Sequence, residues 1–504
     1  MIEPLIRQAE RSPDKTALIF QGRSLSYGEL LSQVNRTART LSKLGVNPTD
    51  RVAYVLENRI EIVTVFYAIQ ALGAVAVPIN VRSIAPEIAY LAKAVKAKVL
   101  LYSALRAEQV EQAASRLERV EALCVDPGRP KQLVLDLDDS PFAGPRVPGA
   151  ISRIQFTGGS TGTPKGAMRT HAADLVNIAG TSQASFLDET PGTVVFVGCP
   201  LEHHGGHAWF TMAIAQGATL VIGGAFDPAE VLRAIETHRV THIILLPPTT
   251  YVRLMEHESI SDFDLSSVKI LQTSAGAVTR DFVANAYRYF PNCAINYGWG
   301  QTESGLGSTM VLTREMLATG DSKLESVGLP MAHTELRLAD DDGNDVATGE
   351  IAECLVRSEA VMRGYWEQPE LTAEVLPGDG WLRTGDMMSR DADGYYYLRY
   401  RKKDMIKTGG ENVFSAEVES VVAAHPAVVD CAVYGVAHPT LGEAVAVAVE
   451  LHPGATLTLG ELQEWTKERI ASYKKPLAMR VMENLGRDLS GKVDKRRLAA
   501  EHTY

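Results

Sequence analysis

The 504-residue sequence has few features of secreted, zinc-binding or membrane-spanning proteins. Its five cysteines lie far apart and form no C-x-x-C pair, which argues against a disulfide framework and against a zinc site. Residues 1–15 are polar and charged, so they lack the apolar core of a signal peptide. No apolar run reaches the roughly 20 residues that cross a bilayer. We therefore expect a cytoplasmic protein.

The sequence also lacks an excess of positive charge. It contains 50 Lys and Arg residues against 61 Asp and Glu residues, which gives a formal net charge of −11. Such an acidic chain does not indicate binding to nucleic acid or to anionic membranes. Any site for phosphate groups must then be local, built from backbone N–H groups, a few basic side chains and a divalent cation.

Length and periodicity predict an α/β protein with more than one domain. A chain of 504 residues is too long for one compact core. Strand and helix patterns alternate from residue 51 to residue 273, which predicts a large layered N-terminal domain with sheets built from βα units. The roughly 100 residues after Lys403 suit a small α+β domain. We predict an N-terminal domain over residues 1–400, a hinge at 401–403 and a mobile C-terminal domain over 404–504.

One glycine-rich stretch follows residues 151–156, whose apolar character predicts a strand. It contains Thr157, Gly158, Gly159, Ser160, Thr161, Gly162, Lys165 and Gly166. Glycines let backbone N–H groups converge on an anion, while hydroxyls and a lysine add further donors. The stretch is not a P-loop, because Lys165 precedes its glycine and no Ser or Thr follows to hold magnesium. A polyphosphate site and a flexible surface loop are the two interpretations.

Further stretches carry side chains that suit a nucleotide. Gly276 follows a predicted strand at 269–273, where a glycine lets a flat ligand approach the backbone. Trp299 offers a flat ring for stacking, and Glu303 offers the hard oxygen ligand that Mg²⁺ prefers. Asp386 could accept hydrogen bonds from both hydroxyls of a ribose. Taken singly, each also fits an ordinary turn, core or surface residue.

Together these stretches resemble, in order, the motifs of the adenylate-forming superfamily. That superfamily comprises acyl-CoA synthetases, adenylation domains of peptide synthetases and beetle luciferase. The matching stretches are residues 156–166, 274–277, 296–303, 379–386, 400–407 and 489–496. Six matches in the right order across two predicted domains are hard to obtain by chance. The Gly-Gly-Glu-Asn sequence at 409–412 is most similar to the acyl-CoA synthetases.

The resemblance implies specific roles in nucleotide binding and catalysis. The residues implied to contact ATP or AMP are Thr157, Gly158, Gly159, Ser160, Thr161, Gly162, Lys165, Gly276, Ala277, Trp299, Gly300, Gln301, Asp386 and Arg401. Lys492, Thr302 and Glu303 would be catalytic, and Glu303 would also be the ligand of Mg²⁺.

The resemblance also implies where the other substrates bind. The acyl pocket would involve His203, His204, Trp299 and Ala275, the path of coenzyme A would involve Gly409, Gly410 and Glu411, and Lys403 would be the hinge between domains. His203 and His204 could instead be exposed or capping histidines. The spacing of these histidines from carboxylates does not support a metal site.

Three positions depart from the usual family pattern. Gly158 replaces a serine, Tyr400 replaces a glycine and Gly486 replaces a proline. These departures motivate one alternative interpretation, a partial-reaction or non-catalytic homologue that binds adenylates. The presence of Lys492, Glu303 and Asp386 argues against it.

The prediction is therefore an AMP-forming acyl-CoA synthetase. It would use ATP and Mg²⁺ to activate a hydrophobic or aromatic carboxylic acid, then transfer the acyl group to coenzyme A. One alternative is a stand-alone adenylating enzyme that loads a carrier protein; a luciferase-like oxygenase has no specific support in the sequence. The expected partners are small molecules, with no nucleic acid and no membrane span. The oligomeric state is left open, a homodimer included.

Overall fold

The computed structural model of the chain describes residues 1–142, 144–145, 147, 149–157, 164–185, 192–276, 278–409, 411–487 and 493–502. The chain divides into two compact units. Unit 1 comprises Met1–Leu336 and Val356–Leu382, and unit 2 comprises Arg337–Leu355 and Arg383–Tyr504. The hinge at residues 401–403 and the domain limits built on it stay predictions.

Several helices of unit 1 begin at residues that favour helix starts. Ser26 and Glu29 form a capping box at the second helix, and Asp227 caps the helix that Pro228 begins. The helices are α1 (Glu3–Arg11), α2 (Tyr27–Lys43), α3 (Ile60–Leu72), α4 (Ala85–Ala94), α5 (Ala107–Ala114), α6 (His171–Ala184), α7 (His204–Ala215), α8 (Pro228–His238), α9 (Pro248–Met255), α10 (Arg280–Tyr289), α11 (Arg314–Thr319) and α12 (Pro369–Val375). Among the described residues, no helix is long and apolar enough to cross a membrane.

Two large sheets account for most of the strands in unit 1. The strands are β1 (Thr16–Phe20), β2 (Arg23–Ser26), β3 (Arg51–Val55), β4 (Val75–Pro78), β5 (Val99–Tyr102), β6 (Glu121–Cys124), β7 (Ile151–Thr157), β8 (Lys165–Thr170), β9 (Val194–Val197), β10 (Thr219–Ile222), β11 (His242–Ile244), β12 (Ile270–Ser274), β13 (Ala294–Gln301), β14 (Gly305–Leu312) and β15 (Leu329–Pro330). One sheet has the order β15-β14-β13-β12-β11-β9-β10-β1-β2, and the other has the order β6-β5-β3-β4-β7-β8. The predicted α/β fold is confirmed.

The main core of unit 1 lies between these sheets. Helix α3 is apolar on every side, and nearly all its residues are buried, as expected for a helix enclosed by other elements. Its cluster of apolar side chains joins Tyr54 and Leu101 of the six-stranded sheet to Val195 and Leu220 of the nine-stranded sheet.

The parallel strands of the nine-stranded sheet position the candidate site. Strands β9, β11, β12 and β13 are neighbours and run parallel. Their carboxyl ends therefore meet at one edge of the sheet, the usual place for ligands in α/β folds. The segments that leave this edge contain His203, Ala275 and Glu303. The sequence motifs of the predicted acyl pocket and of the predicted magnesium site thus begin at the same edge.

Unit 2 is built around two smaller sheets. One has the order of β16 (Glu335–Ala339), β17 (Ala352–Arg357), β18 (Leu382–Arg390) and β19 (Tyr396–Arg401), and a few of its residues belong to unit 1. The other contains β20 (Met405–Thr408), β21 (Glu411–Phe414), β22 (Val428–His438), β23 (Gly442–Leu451) and β24 (Ala478–Val481). Its helices are α13 (Ser415–Ala423), α14 (Leu459–Lys467) and α15 (Lys495–Ala500). This is the small α+β fold predicted for the C-terminal part.

Tyr400 makes an aromatic contact across the predicted hinge. Its ring stacks on that of Phe414, with centroids 3.4 Å apart and ring planes 9° apart. The chain between the two rings contains the 3₁₀ turn Lys402–Asp404. A glycine at position 400, as in the family pattern, would remove this contact, so the departure seen in the sequence adds a stabilising pair within unit 2.

Candidate active site

The glycine-rich stretch connects two antiparallel strands. Thr157, the last residue of β7, lies opposite Lys165, the first residue of β8. A Cβ atom on Gly166 would lie 2.8 Å from Ile154, so a glycine is needed where the strand packs closely. Gly158, Gly159, Ser160, Thr161 and Gly162 lie outside the described residues, and their roles stay predictions. The two ends of the stretch face each other at the tip of the hairpin.

Glu303 faces this hairpin tip. It lies in the short turn between β13 and β14, and its Oε1 accepts hydrogen bonds from Tyr365 Oη at 3.0 Å and from Thr157 Oγ1 at 3.5 Å. Its backbone oxygen accepts from the N–H of Met362 at 2.7 Å. Lys165 Nζ lies 5.3 Å from the centre of the Tyr365 ring. The structure therefore brings Thr157, Lys165 and Glu303 together around Tyr365.

Tyr365 was missed by the sequence analysis. Burial and then the carboxylate of Glu303 raise the pKa of its phenol beyond its ordinary range, so the hydroxyl stays protonated and donates. A tyrosine beside Gly364 is a weak sequence signal, and its proximity to Glu303 depends on the chain returning from a distant segment.

Thr302 is held through its backbone by a buried arginine. Arg169 on β8 donates from Nη1 to the carbonyl oxygen of Thr302 at 3.3 Å and to that of Ala360 at 2.6 Å. Its Nε donates to Asp174 Oδ1 at 3.0 Å. Arg169 is fully buried, and Asp174 is only 3% exposed. The turn that carries Thr302 and Glu303 is thus connected to a charged group inside unit 1.

A second buried arginine shares the same carboxylate. Arg153 on β7 contacts Asp174 through Nε and Nη2, both at 3.3 Å. Although burial alone would raise the pKa of Asp174, the charges of Arg153 and Arg169 hold it well below its usual value. Ser152 Oγ also donates to Asp174, at 2.7 Å. We call Arg153, Asp174 and Arg169 the charge junction.

The histidines predicted for the acyl pocket lie at the start of α7. His203 Nε2 lies 2.7 Å from Asn80 Nδ2, and His204 Nδ1 lies 2.6 Å from Arg153 Nη2. An arginine can only donate, so Nδ1 of His204 accepts and a neutral ring carries its proton on Nε2. Burial and then Arg153 lower the pKa of His204 well below its usual value, so the ring is neutral. The sequence motifs did not predict this polar contact between His204 and Arg153.

Glu202, the residue before these histidines, is also buried. It is 3% exposed, and burial raises the pKa of its carboxyl to about 7. Its backbone oxygen accepts from Gln155 Nε2 at 3.0 Å, and Gln155 in turn accepts from Arg153. The turn before α7 is therefore tied to the charge junction by two routes, through Gln155 and through His204.

The other predicted nucleotide and acyl residues of unit 1 lie at or near the carboxyl edge. Trp299 is buried on β13, and a Cβ atom on Gly307 would lie 2.6 Å from its ring. Ala275 has a left-handed φ of 62°, a strained conformation for a residue with a side chain. The carbonyl oxygen of Gly276 accepts from Tyr297 Oη at 2.8 Å. Gly300 and Gln301 end β13, while Ala277 lies outside the described residues. Strain at Ala275 marks this segment as a candidate ligand contact.

Asp386 and Arg401 form an ion pair in unit 2. They face each other on β18 and β19, and Arg401 Nε lies 2.9 Å from Asp386 Oδ1. Asp386 is fully buried, whereas the side chain of Arg401 is about a third exposed. The sequence predicted both residues as ribose and nucleotide contacts but did not predict that they pair.

Gly409 and Glu411, two of the residues predicted for the coenzyme A path, belong to the hairpin of β20 and β21 in unit 2. Gly409 has a φ of 59°, and its N–H donates to Leu441 at 2.8 Å. Glu411 begins β21 and lies opposite Thr408. Gly410 and Lys492 lie outside the described residues, so the role of Lys492 stays a prediction.

The oxygen ligands around Glu303 fit a magnesium ion. Mg²⁺ usually binds one or two carboxylates together with substrate phosphates and water. Among the described residues, no cluster of three or more His, Cys, Asp or Glu side chains could hold a metal ion by itself. A single carboxylate beside a predicted phosphate site therefore suits a metal that arrives with a nucleotide.

Comparison with known families agrees with these motifs. The family model described as AMP-binding enzyme matches residues 5–366, and the model described as AMP-binding enzyme C-terminal domain matches residues 417–492. The chain belongs to the AMP-binding enzyme family. Within it, this AMP-binding enzyme is related to AMP-forming acid–CoA ligases. It is 37% identical over 497 residues to a feruloyl-CoA synthase from an Amycolatopsis species, covering 97% of this chain and 96% of that protein.

Solved structures share the whole fold of this AMP-binding enzyme. The amide bond synthetase McbA from Marinactinospora thermotolerans matches with a TM-score of 0.88 and 28% identity, over 100% of this chain and 99% of that one. The o-succinylbenzoate coenzyme A synthetase of Bacillus subtilis, solved with ATP and a magnesium ion, matches with a TM-score of 0.84 and 26% identity, over 98% of both chains.

Proposed function

We propose that this AMP-binding enzyme activates a hydrophobic or aromatic carboxylic acid with ATP and transfers the acyl group to coenzyme A. The observation that carries the proposal is the convergence of Thr157, Lys165 and Glu303 at the carboxyl edge of the nine-stranded sheet. A hydroxyl, a cation and a carboxylate in this arrangement suit the phosphates of a magnesium nucleotide.

The chemistry explains why a nucleotide is needed. A carboxylate is a poor acyl donor because its leaving group would be oxide. Attack of its oxygen on the α-phosphorus of ATP forms the acyl-adenylate and breaks the bond to the β-phosphate, which releases pyrophosphate. The thiol sulfur of coenzyme A then attacks the acyl carbon, the bond to AMP breaks and the thiol loses its proton. Catalysis of such transfers rests mainly on positioning and on charge stabilisation.

The residues would divide this work between phosphate, nucleoside and reacting atoms. The phosphate contacts would be Thr157, Gly158, Gly159, Ser160, Thr161, Gly162, Lys165 and Thr302, and the nucleoside contacts would be Gly276, Ala277, Trp299, Gly300, Gln301, Asp386 and Arg401. Glu303 would hold Mg²⁺, which when bound would offset the negative charge of the β- and γ-phosphates. Lys492 would bridge the substrate carboxylate and the nucleotide, reducing the repulsion between two anions.

The acyl side supports an uncharged substrate tail. Its histidine ring at position 204 is neutral, and Trp299 and Ala275 add apolar surface. An amino acid would bring an ammonium group, and none of His204, Trp299 and Ala275 offers it an anionic partner. The feruloyl-CoA synthase relative acts, by its name, on an aromatic acid. We therefore favour fatty and aromatic acids over amino acids.

The two half-reactions would use different faces of the C-terminal domain. As in the family, rotation at Lys403 would bring either Lys492 or the segment of Gly409, Gly410 and Glu411 to the acyl-adenylate. This division into residues 1–400, 401–403 and 404–504 is part of the proposal, as is a cytoplasmic location.

The test is ATP–pyrophosphate exchange across a panel of fatty, aromatic and polycyclic acids, ferulate included. We expect exchange with some acids, and its abolition by Lys492→Ala. Arg496→Ala is the matched control, because it removes one exposed cation from the same basic segment. Lys492→Ala should still convert a supplied acyl-adenylate and coenzyme A to the thioester.

The acceptor is tested in the same reactions. Thioester formation on free coenzyme A supports the proposal, and transfer to a carrier protein alone would support the carrier-loading alternative. Equal loss of both half-reactions in Lys492→Ala would contradict the two-face assignment. Absence of exchange together with turnover of supplied acyl-adenylate would indicate a partial-reaction homologue.

A further inference from the structure

We infer that Arg169 and Arg153 are positioning residues that share one carboxylate, Asp174, and hold opposite halves of the active site. Arg169 positions the turn of Thr302 and Glu303, and Arg153 positions the turn before α7. The inference rests on the proposed function, because it takes Glu303 as the magnesium ligand and the turn before α7 as part of the acyl pocket.

The shared carboxylate lies at the centre of the arrangement. Asp174 is on α6, and its Oδ1 and Oδ2 contact Arg169 and Arg153 at 3.0–3.3 Å. Ser152 Oγ donates to the same carboxylate at 2.7 Å. All these side chains are 3% exposed or less. Buried charges are costly unless they are paired and fully hydrogen-bonded, so this junction is a rigid point from which both arginines extend.

One arm of the junction ends at the phosphate side. Beyond Asp174, Arg169 Nη1 donates to the carbonyl oxygens of Thr302 and Ala360. Glu303 follows Thr302 directly, and Met362, whose N–H donates to the Glu303 carbonyl, lies two residues after Ala360. The single guanidinium group thereby fixes both backbone segments that support Glu303, the one at Thr302 and the one at Ala360. A lysine could keep the ion pair with Asp174 but could not also reach both carbonyl oxygens in the same plane.

The other arm ends at the acyl side. Beyond Asp174, Arg153 Nη1 donates to Gln155 Oε1 at 2.8 Å, and Gln155 Nε2 donates to the carbonyl oxygen of Glu202 at 3.0 Å. Arg153 Nη2 contacts His204 Nδ1 at 2.6 Å. These contacts fix the turn before α7 and the tautomer of His204 without reaching Thr302.

The two arginines form a matched pair. Both are buried, both lie on the β7–β8 hairpin and both bind Asp174, so a loss of stability should affect them alike. Their far contacts differ, one set lying on the phosphate side and the other on the acyl side. Opposite kinetic signatures would therefore reveal positioning, whereas a shared structural role would give the same signature.

The experiment compares Arg169→Lys with Arg153→Lys in the full-length enzyme. For Arg169→Lys we expect roughly a tenfold weaker affinity for MgATP and a higher Mg²⁺ requirement, with the KM for the acid nearly unchanged. For Arg153→Lys we expect roughly a tenfold higher KM for the acid, with the affinity for MgATP nearly unchanged. Calorimetric titration with MgATP in the absence of acid measures the first effect without turnover. Exchange with ferulate, or with the panel acid that exchanges fastest, measures the second.

Two further variants keep the test decisive. Ser152→Ala removes a donor to Asp174 and to the backbone oxygen of Arg169 but keeps the side-chain contacts of both arms, so it should lower the melting temperature and leave both substrate constants nearly unchanged. Gln155→Met breaks the acyl arm without changing charge and should raise the KM for the acid alone, even if the lysine variants fail to fold. The inference is overturned if both arginine variants shift the same constants or if Gln155→Met affects MgATP. A wild-type enzyme that binds MgATP but shows no exchange would refute the proposed function while leaving the calorimetric test of Arg169 in force.

Discussion

Two buried carboxyl groups of unit 1, those of Asp174 and Glu202, have pKa values shifted in opposite directions. Asp174 and Glu202 are each 3% exposed. The pKa of Asp174 lies well below its usual value because two arginines outweigh the effect of burial, whereas burial raises the pKa of Glu202 to about 7. Burial alone therefore does not decide the charge of a carboxyl group; its partners do.

The contrast matches the two halves of the proposed site. The phosphate side contains a basic side chain, Lys165, and an acidic side chain, Glu303, where the proposed substrate is highly charged. The acyl side contains a neutral His204 and a carboxyl, that of Glu202, whose ionisation is suppressed. The charge junction separates the two, since Arg153 and Arg169 each extend to one of them.

Asp174→Asn should cause the largest loss of stability. It would leave Arg153 and Arg169 buried without a countercharge, and breaking a buried pair in this way costs about 3–5 kcal/mol of unfolding free energy. Chemical denaturation at pH 7 measures this loss, and Asp14→Asn, at an exposed site, is the control.

The pH dependence of the same variant sharpens the result. The folded pKa of Asp174 is depressed, so its stabilising contribution is present above the unfolded pKa of 3.8 and is lost as pH falls through the folded pKa. Asp174→Asn should therefore lose part of the acid sensitivity of the wild type. An unchanged denaturation midpoint at pH 7 would show that the junction is not the ion pair described here.

Glu202→Gln should raise the free energy of unfolding at high pH, whereas Asp174→Asn lowers it. The folded pKa of Glu202 is raised, so its favourable contribution is complete below the unfolded pKa of 4.5 and is lost as pH rises through about 7. The interval from 4.5 to about 7 corresponds to about 3 kcal/mol. At pH 8 the variant should be more stable than the wild type by an amount of that order, because it no longer has to ionise a buried group.

Denaturation at pH 5 and pH 8 checks this prediction. Near pH 5 Glu202 is largely protonated in the folded state, so the variant and the wild type should differ little. Parallel stability curves at the two pH values would contradict the raised pKa. Glu10→Gln, at an exposed site, is the control. Glu29→Gln is unsuitable because Glu29 belongs to the capping box of α2.

Tyr365→Phe should have the smallest effect and extends the comparison to Glu303. It removes the hydroxyl that donates to Glu303 Oε1 and keeps the ring beside Lys165. Loss of one hydrogen bond to a charged group corresponds to about 1.5–3 kcal/mol, or roughly a tenfold or greater rise in the Mg²⁺ concentration for half-maximal exchange. Tyr90→Phe, at an exposed site, should not alter it. An unchanged Mg²⁺ requirement in Tyr365→Phe would show that Glu303 needs no such support.

The sequence predicted the architecture well because its signals are local. The alternation of strand and helix patterns over residues 51–273 and the apolar strand at 151–156 reflect short-range preferences, and the α/β class was confirmed. The order of the family motifs along the chain predicted the family and the candidate site residues.

The charge junction could not be predicted in the same way. Arg153 and Gln155 alternate with apolar residues along β7, a pattern that is typical of a strand with one solvent-exposed face. Both are nevertheless buried, and the residues that contact Arg153, namely Asp174 and His204, come from α6 and from the start of α7. Tyr365 could not be predicted for a related reason. It is 62 residues from Glu303 in the sequence, and only the folded chain brings the two side chains together.

Short motifs and local periodicity were enough to predict the class of fold, the family and the residue types available for phosphate, metal and ribose contacts. Which of those residues meet, and in what charge state, depends on the folded chain. Pairing of Arg153 with Asp174 and of Glu303 with Tyr365 joins residues that lie 21 and 62 positions apart in the sequence. The pKa of a buried group depends on just such partners, which the folded chain alone brings within hydrogen-bonding distance.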